Sequence, residues 1–199
     1  MKASYKLGIL RAIVVLGASC MLLALATARN LRAQALPNPS SIVKPHALVS
    51  LDPVPRGKDF QAAVVVDIAR GFHMNSHKPT DEYLIPTTLT PQLPPGFELA
   101  DTIYPNGRLE KFSFSPNKPL DVYTGSVTLK LRLRANAKAP LGMATIPVTL
   151  RYQACNDAAC LPPVKVPVNV EVHVAAATAK AQPLHPEVFS STGTATAAR

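Results

Sequence analysis

The chain contains no tryptophan and few aromatic residues of any kind, so the buried tryptophan that packs against the inter-sheet disulfide of antibody domains has no counterpart. It has no phosphate-cradling glycine loop and no serine-centred nucleophile motif, which removes two common routes to nucleotide binding and acyl transfer. No segment carries three turns of amphipathic helical periodicity, and no internal repeat recurs. Cysteine is scarce, with three residues, and Cys20 lies in an N-terminal apolar run, which leaves Cys155 and Cys160.

The first 35 residues read as an export signal. Lys2, Lys6 and Arg11 precede or open an apolar run from Ala12 to Ala28, and Ala33-Gln34-Ala35 forms a small-x-small cleavage pattern before Leu36. Cleavage after Ala28 and retention as a membrane anchor are the alternatives. The formal charge of +9 suggests a nucleic-acid or membrane surface until it is divided along the chain. Five of the 21 basic residues lie in residues 1–35, and the remaining 16 face 12 acidic residues, a net +4 that needs no nucleic-acid partner. Export implies a periplasmic, oxidising compartment in which a cysteine pair spends at least part of its time as a disulfide.

Beyond the signal the dominant period is two. Phe60, Ala62, Val64, Val66 and Ile68 alternate along one segment, and Val127, Leu129, Leu131 and Leu133 along another. Ile146, Val148, Leu150 and Tyr152, and the valines from Val164 to Val174, continue the pattern, with Pro147 and Pro167 on the outward phase, as on edge strands. Shorter candidates are residues 47–51, 72–75, 84–89 and 97–103. The expected fold is all-β, a single-domain immunoglobulin-like antiparallel β-sandwich over residues 45–174, preceded by a linker at 36–44. From residue 175 the chain is Ala/Thr/Ser-rich with few large apolar side chains, which predicts a disordered tail over 175–199.

Cys155 and Cys160 lie between two of the predicted strands, and a bridge between them would close a very small ring. Such a ring stabilises by only ~2 kcal/mol, against ~4 to 5 for a loop of about a hundred residues. That shifts attention from stapling to chemistry at the sulfurs. Thiol–disulfide exchange needs one sulfur presented to a partner and the other held within bonding distance. Asp157 would oppose thiolate formation, and His73, if folded against the loop, would favour it.

The segments Gly71 to Pro79, Asp81 to Thr87, Pro119 to Gly125 and, most specifically, Tyr152-Gln153-Ala154-Cys155 through Cys160-Leu161-Pro162-Pro163 resemble the periplasmic N-terminal domain of the thiol:disulfide interchange protein DsbD and its stand-alone relatives. The resemblance implies a sandwich whose cysteine pair cycles between dithiol and disulfide without a bound cofactor or metal. It implies that Cys155 and Cys160 are the redox pair, that Cys160 forms the mixed disulfide, and that Cys155 resolves it. The implied partners are thioredoxin-like domains and exported oxidoreductases, with a membrane electron donor on a separate chain. It also implies an aromatic cap from the region 105–118, where Phe112 and Phe114 are the candidates. His73, Asn75, Phe112, Phe114, Tyr152 and Asp157 make up the expected shell. Where better-studied members have tyrosines near the site, this chain places His73 and Asn75, and its cysteines are one residue closer together.

Two other classes compete. An immunoglobulin-like binding module would use the bridge only to rigidify a loop, and a copper- or zinc-handling domain would gather His73, Met74, His77 and the cysteines. Asp81 and Glu82 read as a solvated turn instead of an acid/base pair, and Lys130, Arg132 and Arg134 as a solvent-facing basic stripe.

Overall fold

The structure is a computed structural model that describes residues 37–190, so the segment read as an export signal lies outside the described residues. The alternating segments form long antiparallel strands: β4 (Lys58–Ile68), β10 (Ser126–Ala135), β11 (Gly142–Tyr152) and β13 (Val164–Ala175). Around them run β1 (Val43–Val49), β2 (Leu51–Asp52), β3 (Val54–Pro55), β5 (His73–Asn75), β6 (Thr88–Pro91), β7 (Phe97–Ile103), β8 (Arg108–Phe112), β9 (Ser115–Tyr123), β12 (Ala154–Cys155) and β14 (Gln182–Pro183). Two four-residue helices, α1 (Pro39–Ile42) and α2 (Pro186–Phe189), complete the described elements.

One sheet has the order β1-β4-β10-β7 and another β3-β13-β11-β6, and the apolar phases of both meet in one core. Phe60, Ala62, Val64, Val66, Leu129 and Leu131 from the first sheet are buried, as are Ile146, Val148, Leu150, Val170 and Val172 from the second. β-branched and leucine side chains on one face of a pleated strand make this burial possible, and each contributes about 1.5–3 kcal/mol when fully covered. The all-β sandwich expected from the pattern is the fold observed.

Several local expectations differ. The edge reading of Pro147 and Pro167 is corrected, because β11 and β13 are inner strands by sheet order. Each proline nevertheless sits outside the outer ladder: β6 reaches only Val148 to Arg151, with the Pro147 carbonyl accepting from Gln92 N–H at 2.7 Å, and β3 pairs only at Val174 and Ala175. No missing donor is therefore demanded of a ladder. The stretch expected as a linker at 36–44 enters the fold from Pro39, with Ile42 and Val43 in the core. The segment 84–89 is a strand only from Thr88.

The chain beyond Ala175 is placed against the sandwich as far as Ser190, where composition predicts a structureless tail. Gln182 and Pro183 pair with Asp52 and Leu51, Leu184 N–H donates to Ser50 O at 2.9 Å, and the Phe189 ring lies 6.0 Å from Lys130 Nζ. Backbone pairing and a few half-buried anchors do this, a signal that average composition does not carry.

A third sheet, β12-β5-β9-β8, carries the cysteines. Its β8–β9 hairpin falls in the region read as a loop, because Pro116 and Pro119 interrupt any regular pattern there. Gly107, just before β8, has no room for a side chain: a Cβ would lie 1.7 Å from Asp121 Oδ1.

Candidate functional site

The cysteine loop is set by local hydrogen bonding. Ala154 and Cys155 pair with Met74 and His73, and Leu161 N–H returns to Ala154 O at 2.8 Å, so the chain reverses between the two cysteines. Asn156 Oδ1 accepts from Ala158 N–H at 2.9 Å and from Ala159 N–H at 2.8 Å, an Asx-type turn that holds the reversal. Cys155 and Cys160 are disulfide-bonded, with Cα atoms 3.9 Å apart. The two sulfurs' residues differ in access: Cys155 is fully buried, whereas Cys160 is half-buried at the loop's return.

The tip of the β8–β9 hairpin covers this loop. Ser113 N–H donates to Asp157 Oδ1 at 3.2 Å, and the Ser113 hydroxyl donates to the Asp157 carbonyl. Phe112 stacks on His73 with ring centroids 3.9 Å apart, and Phe114 stacks on Phe112 at 5.5 Å. Phe112 is half-buried against the small cluster of Leu84, Leu120 and Val122, while Phe114 is 39% exposed and forms the outer layer. Both candidate rings thus lie over His73, in series.

Asn75 and Gln153 tie the cysteine loop to its surroundings. Gln153 Oε1 accepts from Asn75 Nδ2 at 3.2 Å and from Ile85 N–H at 3.4 Å, while Gln153 Nε2 donates to Leu161 O at 3.2 Å. Asn75 Nδ2 also donates to Ile85 O at 3.1 Å. The sequence motif contains Gln153, but only the fold shows it bridging three segments, and Ser113 carried no signal at all.

Tyr152 is the shell residue that the fold places elsewhere. It is fully buried in the inter-sheet core and donates its hydroxyl to Pro39 O at 2.8 Å, so it supports the strand and does not face the cysteines. Strand alternation requires this, since Tyr152 and Ala154 share the core face. Of the other five, His73 pairs with Cys155, Asp157 lies on the loop, Asn75 bonds to Gln153, and Phe112 and Phe114 stack in series on His73.

Burial lowers the His73 imidazole to about 4, with Asp157 pulling weakly upward. At neutral pH His73 therefore carries no positive charge, and the expected cationic help to a thiolate is corrected. Burial also raises Tyr123 and Tyr152 to about 12, which keeps both hydroxyls neutral donors. The residues weighed as metal ligands are not assembled: Met74 lies in the inter-sheet core, and His77 stacks on Tyr104 at 3.6 Å with Nδ1 3.0 Å from Thr87 O. Among the described residues no group of three or more His, Cys, Asp or Glu side chains converges.

A comparison with known families matches residues 40–172 to the family described as the N-terminal domain of the thiol:disulfide interchange protein DsbD. The N-terminal periplasmic domain of ScsB from Proteus mirabilis is a similar solved structure, at 14% identity and a TM-score of 0.48, covering 68% of this chain and 49% of that one. The chain thus spans about half the length of that structure. No curated protein matches.

Proposed function

The chain belongs to the family of the DsbD N-terminal domain, and from that premise we propose that it works in the periplasm as a thiol–disulfide relay, passing two electrons at a time through Cys155 and Cys160. The observation that carries this reading is the unequal burial of the paired cysteines, Cys155 fully buried and Cys160 half-buried, beside a hairpin tip bonded to their loop. A bridge serving only to stabilise has no need of one buried and one approachable sulfur.

In the inward step a thiolate of a thioredoxin-like partner attacks Cys160 Sγ. The Cys155–Cys160 bond breaks, and its electron pair leaves on Cys155, which takes a proton. The partner's second thiol then displaces Cys160 and closes the partner's own disulfide, leaving the domain as a dithiol. In the outward step the Cys160 thiolate attacks the disulfide of an exported oxidoreductase, and Cys155 resolves the mixed disulfide.

The test is to replace Cys155 by Ala, keep Cys160, and look for mixed disulfides with thioredoxin-like proteins in periplasmic extract. Adducts through Cys160 are expected. Adducts only in the converse Cys160→Ala protein would exchange the sulfur roles. A pair that stays oxidised in dithiol buffers poised down to about −300 mV would mark a structural bridge and end the proposal.

A further inference from the structure

His73 is 2% exposed, and its Nε2 has no hydrogen-bond partner. Leaving such a buried group unpaired is costly, and native folds seldom do so without a reason. Its directly opposed neighbour across the β5–β12 ladder is Cys155. Side chains opposed in this way project to the same face, with Cβ atoms roughly 4.5–5.5 Å apart. The alternation agrees: Met74 and Ala154 enter the inter-sheet core, while His73 and Cys155 lie on the other face beneath the cap. A disulfide sulfur has no hydrogen to donate, so the imidazole lacks a partner while the bridge is closed. Opening the bridge creates one, the Cys155 S–H.

We infer that His73 is the proton acceptor for Cys155 in the resolving half of the exchange, an assignment that rests on the relay reading above. Cys155 is fully buried, and burial in apolar surroundings disfavours a bare thiolate, so this sulfur needs a base beside it to attack. In the tautomer with hydrogen on Nδ1, Nε2 presents its lone pair to the thiol. Cys155 Sγ attacks Cys160 Sγ as its proton passes to Nε2, so that no bare thiolate forms beforehand. The Cys155–Cys160 bond forms as the bond from Cys160 to the partner's sulfur breaks, its electron pair leaving on that sulfur. The departing thiolate takes a proton, and the imidazolium returns its own to solvent.

Asp157, on the cysteine loop, is the charged group acting on His73, and its sign favours the transient imidazolium. The hairpin presents the Phe112 and Phe114 rings to the same imidazole, and the next residues of β5, Met74 and Asn75, are uncharged.

The experiment follows the second thiolate released when the reduced protein is mixed with dithiobis(nitrobenzoate): the first release marks attack by Cys160, the second marks resolution by Cys155. His73→Phe keeps the stack on Phe112 and removes the base. It is expected to slow the second release by about 10- to 100-fold at neutral pH and to move its pH profile to higher pH, leaving the first release within about twofold. His73→Gln keeps a polar atom but no base and is expected to retain the shifted profile. A second release with unchanged rate and profile in both variants would overturn the assignment. Should neither variant fold, the Nε2 nitrogen resonance of the unaltered protein decides: an upfield move on reduction is expected, and no move refutes the contact. Because this reagent needs no protein partner, failure here and failure of the relay are distinguishable.

Discussion

Ser113 and Asp157, 44 residues apart, meet twice: backbone N–H to carboxylate oxygen at 3.2 Å, and hydroxyl to backbone carbonyl. These bonds join the hairpin tip to the cysteine loop by contacts exposed to water. Water competes for such bonds, and each is worth only about 0.5–1.5 kcal/mol net.

Ser113→Ala removes the hydroxyl bond and leaves the backbone bond in place. Reduction of the disulfide by dithiothreitol is expected to accelerate by about 2- to 10-fold, in line with one lost hydrogen bond, with little change in the unfolding midpoint. An unchanged rate would show that the tip does not limit access to the sulfur.

The two cap phenylalanines should separate in a denaturation experiment. Phe112→Ala strips the ring between His73 and the Leu84, Leu120 and Val122 cluster, and is expected to cost about 2–3 kcal/mol, less than a fully buried phenylalanine. Phe114→Ala removes the 39%-exposed outer layer and is expected to cost about 1 kcal/mol or less. Equal costs from urea titrations would contradict the layered order.

Acid should weaken the fold through His73. Its pKa is about 4 in the folded protein against 6.5 for a free imidazole, so the unfolded chain binds more protons between those values. Stability from this group is complete above about pH 6.5, falls as pH drops toward 4, and levels off below, a loss of about 2–4 kcal/mol. In His73→Phe that segment of the stability–pH curve should flatten. A curve of the same slope in the variant would remove His73 as the cause.

Gln153→Ala should loosen three segments at once. It withdraws the acceptor of Asn75 Nδ2 and Ile85 N–H and the donor to Leu161 O, and is expected to cost about 2 kcal/mol. Hydrogen exchange at Ile85 and Leu161 should quicken together. Quickening at only one of them would mean that the bridge is not shared.

The long strands were legible because a half-buried strand writes its environment into every second residue: Val64, Val66, Leu129 and Leu131 alternate in sequence as they do in burial. The β8–β9 hairpin was not legible. Its prolines and exposed Leu109 break the period, and it joins the sheet through the pairing of Val122 and Tyr123 with Asn75 and Met74, far along the chain. The ordered stretch to Ser190 was hidden for the same reason, since its partners are Ser50 to Asp52.

The sequence by itself determined the sandwich and the cysteine pair with its Tyr-Gln-Ala-Cys signature. Local alternation and close spacing are properties of neighbouring residues, and no folding is needed to see them. Only the tertiary structure decided that Tyr152 serves the core, that His73 is neutral and opposite Cys155, and that Ser113 fastens the cap. Those are matters of which distant groups share a dry space, and the charge and hydrogen bonding of a side chain follow from that company.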